Sequence, residues 1–173
     1  NVCKYLDLPV QHINSEILRR MHRRGTRDDI IRCVRSAQER NLTLRTSIIV
    51  GFPGETEEHQ KKTLEFLEKV AFSDVHIFPY SRRPGTPADK MEGQLDRATK
   101  AQRSKQARAV AAKTRKAYLE SAVGAVLPVL FETEENGMWQ GHSDTYVLVR
   151  AEGENLRGLV KNVKITGVSG EML

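Results

Sequence analysis

Cysteine is nearly absent: Cys3 and Cys33, thirty positions apart, are the two that the chain has. Such a pair supports neither a disulfide framework nor a closed metal site. Both read as small structural hydrophobes of the kind that sit buried. Long apolar runs are missing too, and none reaches the roughly twenty residues that span a bilayer. The opening Asn1-Val2-Cys3-Lys4-Tyr5 lacks the pattern of a secretory signal. A cytoplasmic location is the default expectation.

What is present is globular in composition. Hydrophobic residues are 39% and charged residues 29% of 173, enough for one ordinary domain or two small ones. The net charge of +6 is unevenly spread. Residues 1–92 carry a net +3, residues 93–122 a net +6, and residues 123–173 a net −3. A short basic segment therefore supplies most of the positive field, which attracts polyanions without choosing among them.

Taken in order, residues 5–11 alternate apolar and polar positions and read as a strand. Asn14 or Ser15 caps a helix over 16–22, and Thr26 caps the next, with Asp28 and Asp29 in its first turn. Ile30, Ile31, Val34 and Ala37 supply its buried face. A second strand follows over 44–51, a third helix over 56–70 and a third strand over 74–80. Strand, helix, strand, helix, strand with short links is a parallel α/β pattern. Three strands leave both edges unpaired. The chain begins without Met, so the missing strands are expected upstream, in a longer protein. Residues 95–123 form one long basic helix with a thin stripe of Ala107, Ala111, Thr114 and Tyr118. Its charge also fits a simply solvated face. Residues 126–131, 138–141, 146–150, 158–161 and 163–166 are short strands, with an Asn136-Gly137 hairpin turn, and suggest a small closed barrel.

The stretch that organises the rest is LRTSIIVGFPGET, residues 44–56. Its apolar run suits a strand buried on both faces. Gly51 and Gly54 let the backbone turn sharply and approach a ligand, which in parallel α/β folds sits at this end of the strands.

YLDLPVQH, LRTSIIVGFPGET and HIFPYSRRPGTPA resemble the second-half barrel strands of the radical-SAM methylthiotransferases. The basic helix and terminal β segment resemble that family's linker and TRAM domain. The resemblance covers essentially the whole chain. It implies an α/β fold: residues 1–92 as the C-terminal half of an incomplete (β/α) barrel, 93–122 as the linker helix and 123–173 as a TRAM barrel. It also implies S-adenosyl-L-methionine and [4Fe-4S] clusters as cofactors. The family's CxxxCxxC motif is absent here, so the chain alone is expected to hold no cluster, to contribute no catalytic residue and to be inactive.

On the same resemblance, the cofactor-lining candidates are Gln11, Arg45, Gly51, Phe52, Gly54 and Tyr80. Plainer readings stand beside several of them. Gln11 can cap a turn, Tyr80 can pack in the core, and Glu55 can be an ordinary helix N-terminal acid. Arg45 suits a carboxylate only if it lies near the ligand end of its strand.

Family members modify either an adenosine beside the tRNA anticodon or an aspartate of a small-subunit ribosomal protein. YLDLPVQHIN, RMHRRGT and LRTSIIVGFPGE are similar to the ribosomal-protein enzyme. HIFPYSRRPGTPADKMEGQ and ENGMWQGHSDTYVLVRA are similar to the enzyme acting on threonylcarbamoyl-adenosine in tRNA. A junction of two related genes would give the same mixture. The substrate candidates are Lys100, Arg103, Arg108 and Arg115 on the basic helix, with Trp139, Tyr146 and Lys161 beyond it. They suit a phosphate backbone and the stacking of unpaired bases. Trp139 and Tyr146 suit a barrel core equally. A tRNA anticodon loop is the expected partner, rather than DNA or a membrane. The net-acidic terminal segment favours the basic ribosomal protein, and a non-catalytic RNA-binding module is the third reading.

Overall fold

The strand before the glycine turn is the centre of the first unit. In the computed structural model, which describes residues 2–173, it is β2 (Thr43–Val50). It lies between β1 (Tyr5–Asp7) and β3 (Asp74–Pro79) in a three-stranded sheet. The β2–β3 pairing is parallel, with Arg45 opposite Asp74 and Val50 opposite Pro79. Leu8 and Gln11 continue the β1 side by donating to the carbonyls of Arg45 and Ser47.

The helices have local causes. The Asn14 Oδ1 accepts from the amides of Glu16 and Ile17 and starts α1 (Ser15–Arg20). Thr26 and Asp29 form a reciprocal capping box on α2 (Arg27–Glu39), and Thr56 and His59 form one on α3 (Glu57–Val70). The long basic helix is α4 (Arg97–Ser121).

β2 departs from the expected burial on both faces. Leu44, Thr46, Ile48 and Val50 are buried, whereas Arg45, Ser47 and Ile49 are half-buried. Val34, Ala37, Phe66, Leu67, Ala107 and Ala111 from α2, α3 and α4 share one core with the first set and with Val75 and Ile77. The other face carries Asp74, His76 and the exposed Phe78 from β3. Polar residues occupy that face, so the strand pattern is alternating rather than continuous. The cysteine expectation is corrected as well: Cys3 and Cys33 are both exposed. On α2 the buried positions are Val34 and Ala37, and Cys33 falls beside that stripe.

The chain divides into two compact units, Leu6–Thr114 and Arg115–Leu173 together with the start through Tyr5. In the second unit, β4 (Val126–Glu135), β5 (Met138–Ser143), β6 (Leu148–Ala151) and β7 (Val160–Lys164) form an antiparallel sheet in the order β6-β5-β4-β7. The two strands expected over 158–161 and 163–166 are a single one, because Val160 to Lys164 pair continuously with β4. Val129, Phe131, Trp139, Val147, Val149 and Ile165 make its core with Leu119 of α4. The Leu173 amide and carbonyl bond to Leu148 and Arg150, covering the outer edge of β6.

Candidate functional site

The turn after β2 is tied by a buried carboxylate. Glu55 Oε2 accepts from the amides of Gly51 (2.6 Å) and Phe52 (3.2 Å). Its Oε1 accepts from Arg103 Nη1 at 2.9 Å, and the same nitrogen donates to the Glu55 carbonyl. Both side chains are more than nine-tenths buried. Thr56 caps α3, so Glu55 precedes the helix and turns back on the loop, which corrects its reading as a helix N-terminal acid. His12, also buried, accepts from the Asn14 amide through Nδ1, and its Nε2 stands 3.7 Å from Glu55 Oε2. A neutral ring in this arrangement carries its proton on Nε2, facing the carboxylate.

Gly54 has φ +83°, and its amide donates to the Gly93 carbonyl at 2.8 Å. A Cβ on Gly54 would stand 2.4 Å from a guanidinium nitrogen of Arg20, and one on Gly93 would stand 3.0 Å from the Gly54 nitrogen. Glycine is required at both by backbone conformation and close approach.

Beside this turn lies a cleft of about 310 Å³. Gln11, Ile49 and Phe52 line it from the strand ends, Arg20, His22 and Arg23 from the α1 side, and Thr86 and Met91 from the loop after β3. Gln11 has φ +67°, and its amide and carbonyl are held by Ser47 and Ile49, which fixes where its side chain starts. Tyr80 follows β3. Its ring meets Phe52 edge-on at 5.1 Å, Lys100 Nζ lies 5.8 Å from its centroid, and its buried hydroxyl has no hydrogen-bond partner. The stem of Lys100 also covers Gly51.

Gln11 and Phe52 thus meet in one cleft, and Gly51, Gly54 and Tyr80 flank Phe52 along the turn and at the end of β3. Arg45 does not join them. It lies opposite the first residue of β3, at the far end of the strands, where it pairs with Asp7 (3.6 Å) and Asp74 (3.3 Å) and contacts His76. A cofactor carboxylate at the turn is out of its reach.

The substrate candidates also sort by environment. Arg103 is buried against Glu55, which removes it from any substrate. Trp139 is 6% exposed, and its indole N–H donates to the Gly153 carbonyl, so it has no free face for stacking. Tyr146 is 56% exposed and stacks on His142 at 4.9 Å, a ring that sequence reasoning missed. Lys161 is exposed on β7. Arg108 donates to the Ile77 carbonyl, and Arg115 to that of Glu171.

Elsewhere on the surface, the Glu68 carboxyl is held below its usual range by the Lys113 ammonium, which is raised in turn. Among the described residues, no group of three or more His, Cys, Asp or Glu could hold a metal ion. No helix among them is long and apolar enough to cross a membrane.

Comparison with known proteins gives the same family as the motifs. Residues 1–67 match the model of the radical SAM superfamily. The chain is 36% identical, over 95% of its length, to the ribosomal protein uS12 methylthiotransferase RimO of Carboxydothermus hydrogenoformans, of which it covers 40%. It is 35% identical, again over 95% of its length, to the threonylcarbamoyladenosine tRNA methylthiotransferase MtaB of Bacillus subtilis, covering 38% of that protein. A RimO from Geobacter sulfurreducens is 41% identical over 83% of the chain, which covers 31% of it. The chain spans about two fifths or less of these relatives.

Proposed function

Since the chain belongs to the radical SAM methylthiotransferases, we propose that it is the cofactor-lining and substrate-binding part of an enzyme that adds a methylthio group to threonylcarbamoyl-adenosine beside the tRNA anticodon. The family works with S-adenosyl-L-methionine and a [4Fe-4S] cluster. On this reading, residues 1–92 are the second half of a barrel, 93–122 a basic linker helix and 123–173 a TRAM domain.

The observation that carries the cofactor assignment is the cleft beside the Glu55-locked turn. Gln11, Ile49 and Phe52 offer an amide and an apolar wall at the strand ends, and the Tyr80 hydroxyl is buried without a partner. These residues fit the adenosyl part of S-adenosyl-L-methionine. When bound and cleaved, that cofactor supplies a radical able to take hydrogen from an unactivated carbon, which side-chain acids and bases cannot do. Gln11 would hold and orient it, Phe52 would exclude water, and Glu55 with Arg103 would fix the backbone that approaches it. The cluster is a different case. Two exposed cysteines thirty positions apart do not fit it, so no step is assigned to this chain through a cluster.

The tRNA reading is supported by the basic helix and by the exposed Tyr146–His142 stack. The second reading, an aspartate of a ribosomal protein, is favoured by the RimO relatives at 36% and 41% identity. The test is a strain lacking the gene, with methylthio-nucleosides measured in its tRNA and the methylthio mark measured on ribosomal protein uS12. Loss of the tRNA nucleoside is expected. Unchanged nucleosides with loss of the protein mark would replace the first reading by the second.

A further inference from the structure

Arg20 and Arg23 line one side of the cleft, and further arginines follow them in the chain. Residues 19–27 read RRMHRRGTR, five arginines and His22, and there is no acidic side chain from residue 17 to residue 27. Arg19, His22, Arg23, Arg24 and Arg27 are exposed. The left-handed backbone of His22 (φ +54°) reverses the chain just after α1, so the run folds around the α1 end instead of extending. Arg20 and Arg23 are anchored through the carbonyls of Glu92 and Pro9, and Arg20 also fills the space over Gly54. The side chains of Arg19, Arg24 and Arg27 have no ion pair or hydrogen bond among the described residues. Downstream, exposed Asp28 follows Arg27 directly, and Asp29 beyond it is engaged by Thr26 and Arg32.

We propose that this arginine turn is a second phosphate-binding surface, which grips the backbone of a structured RNA beside the cofactor cleft. The inference rests on the reading of this cleft as the cofactor site of a tRNA-modifying enzyme. Guanidinium forks match phosphate oxygens two at a time, and a cluster with more basic than acidic side chains attracts a polyanion. An anionic membrane fits less well, because no large exposed hydrophobic lies within residues 19–27 to insert. The surface also deepens the substrate assignment: a rim this positive repels a basic ribosomal protein.

The test is binding of the full chain to a labelled anticodon stem-loop RNA, by fluorescence anisotropy between 50 and 200 mM salt. The variant R24Q/R27Q alters two partnerless, exposed arginines. K61Q/K69Q on α3 makes the same change in net charge elsewhere, and R24K/R27K retains the charge. R24Q/R27Q is expected to bind about tenfold more weakly, with a salt slope shallower by about two. K61Q/K69Q is expected to stay near the unaltered chain, and R24K/R27K to recover most of the loss.

Equal affinity and slope for the two Gln pairs would overturn the surface. So would an unaltered chain that binds no RNA, or that binds phosphatidylserine vesicles or an acidic peptide in its place. Failure of the parent reading is distinguishable. In that case the arginines still govern RNA binding, while methylthio-nucleosides in the deletion strain do not change.

Discussion

Arg103 and Glu55, forty-eight residues apart, are joined twice by one nitrogen: Nη1 reaches both the carboxylate and the main-chain carbonyl at 2.9 Å. Through this link the basic helix holds the glycine turn in place. Its energetic role is asymmetric, because desolvating both ions offsets much of their attraction, whereas removing one strands the other in the interior.

Arg103→Ala is therefore expected to destabilise the first unit by about 3–5 kcal/mol, the range for breaking a buried ion pair. Arg103→Met combined with Glu55→Gln should be milder than Arg103→Ala, since neither buried charge remains. Urea denaturation of the three chains checks this order. A loss below about 1 kcal/mol for Arg103→Ala, the range of an exposed pair, would contradict the burial.

The two aromatic candidates of the second unit should separate cleanly. Trp139→Ala removes a core ring and is expected to cost about 3–5 kcal/mol of stability. Tyr146→Ala, which removes a half-exposed ring resting on His142 and Tyr5, should cost only about 1 kcal/mol in stability and weaken RNA binding by about 1–3 kcal/mol. Thermal melts and anisotropy titrations on both variants decide the matter. A Tyr146→Ala chain as destabilised as Trp139→Ala would mean that the ring supports the fold instead.

His59 gives the first unit an acid sensitivity. Burial lowers its pKa from the ordinary 6.5, and the field of His12 lowers it further. Its Nδ1 accepts from the Thr56 amide, which a protonated ring cannot do. A depressed folded pKa means that the stabilisation is whole above pH 6.5 and is lost as pH falls through the lower folded value. Between pH 7.5 and 5, the unaltered chain should lose more melting temperature than His59→Gln, which keeps an acceptor in the cap. Parallel losses in the two chains would discount the histidine.

Much of the first unit was legible in local chemistry. Thr26 and Asn14 announce their helices, and the apolar run into Gly51 announces β2. The Glu55–Arg103 pair was not, because its partners are brought together only by packing. A signal existed even so: Arg103 is four residues before Ala107 and eight before Ala111, on the stripe that faces the core. Counting charge along α4 hid that phase. Trp139 was similarly readable, since it alternates with the buried Gly141 and Ser143 on one face of β5. Arg45 was misplaced for another reason. Composition identifies a guanidinium, but only register tells which end of the sheet it serves.

The contact between Gly54 and Gly93 has a consequence for how the sequence can change over time. A side chain on Gly93 would need space that the Gly54 backbone fills, and a hydrogen bond joins the two backbones. Gly93 cannot accept a methyl group while the loop after β2 stays where it is, whereas Gly54 is kept by its left-handed backbone and by Arg20. Divergence at Gly93 is therefore contingent on a compensating shift of the Gly54 loop. Across diverging copies of this chain, the loop after β2 and the segment before α4 should be inherited as a pair, thirty-nine positions apart in sequence.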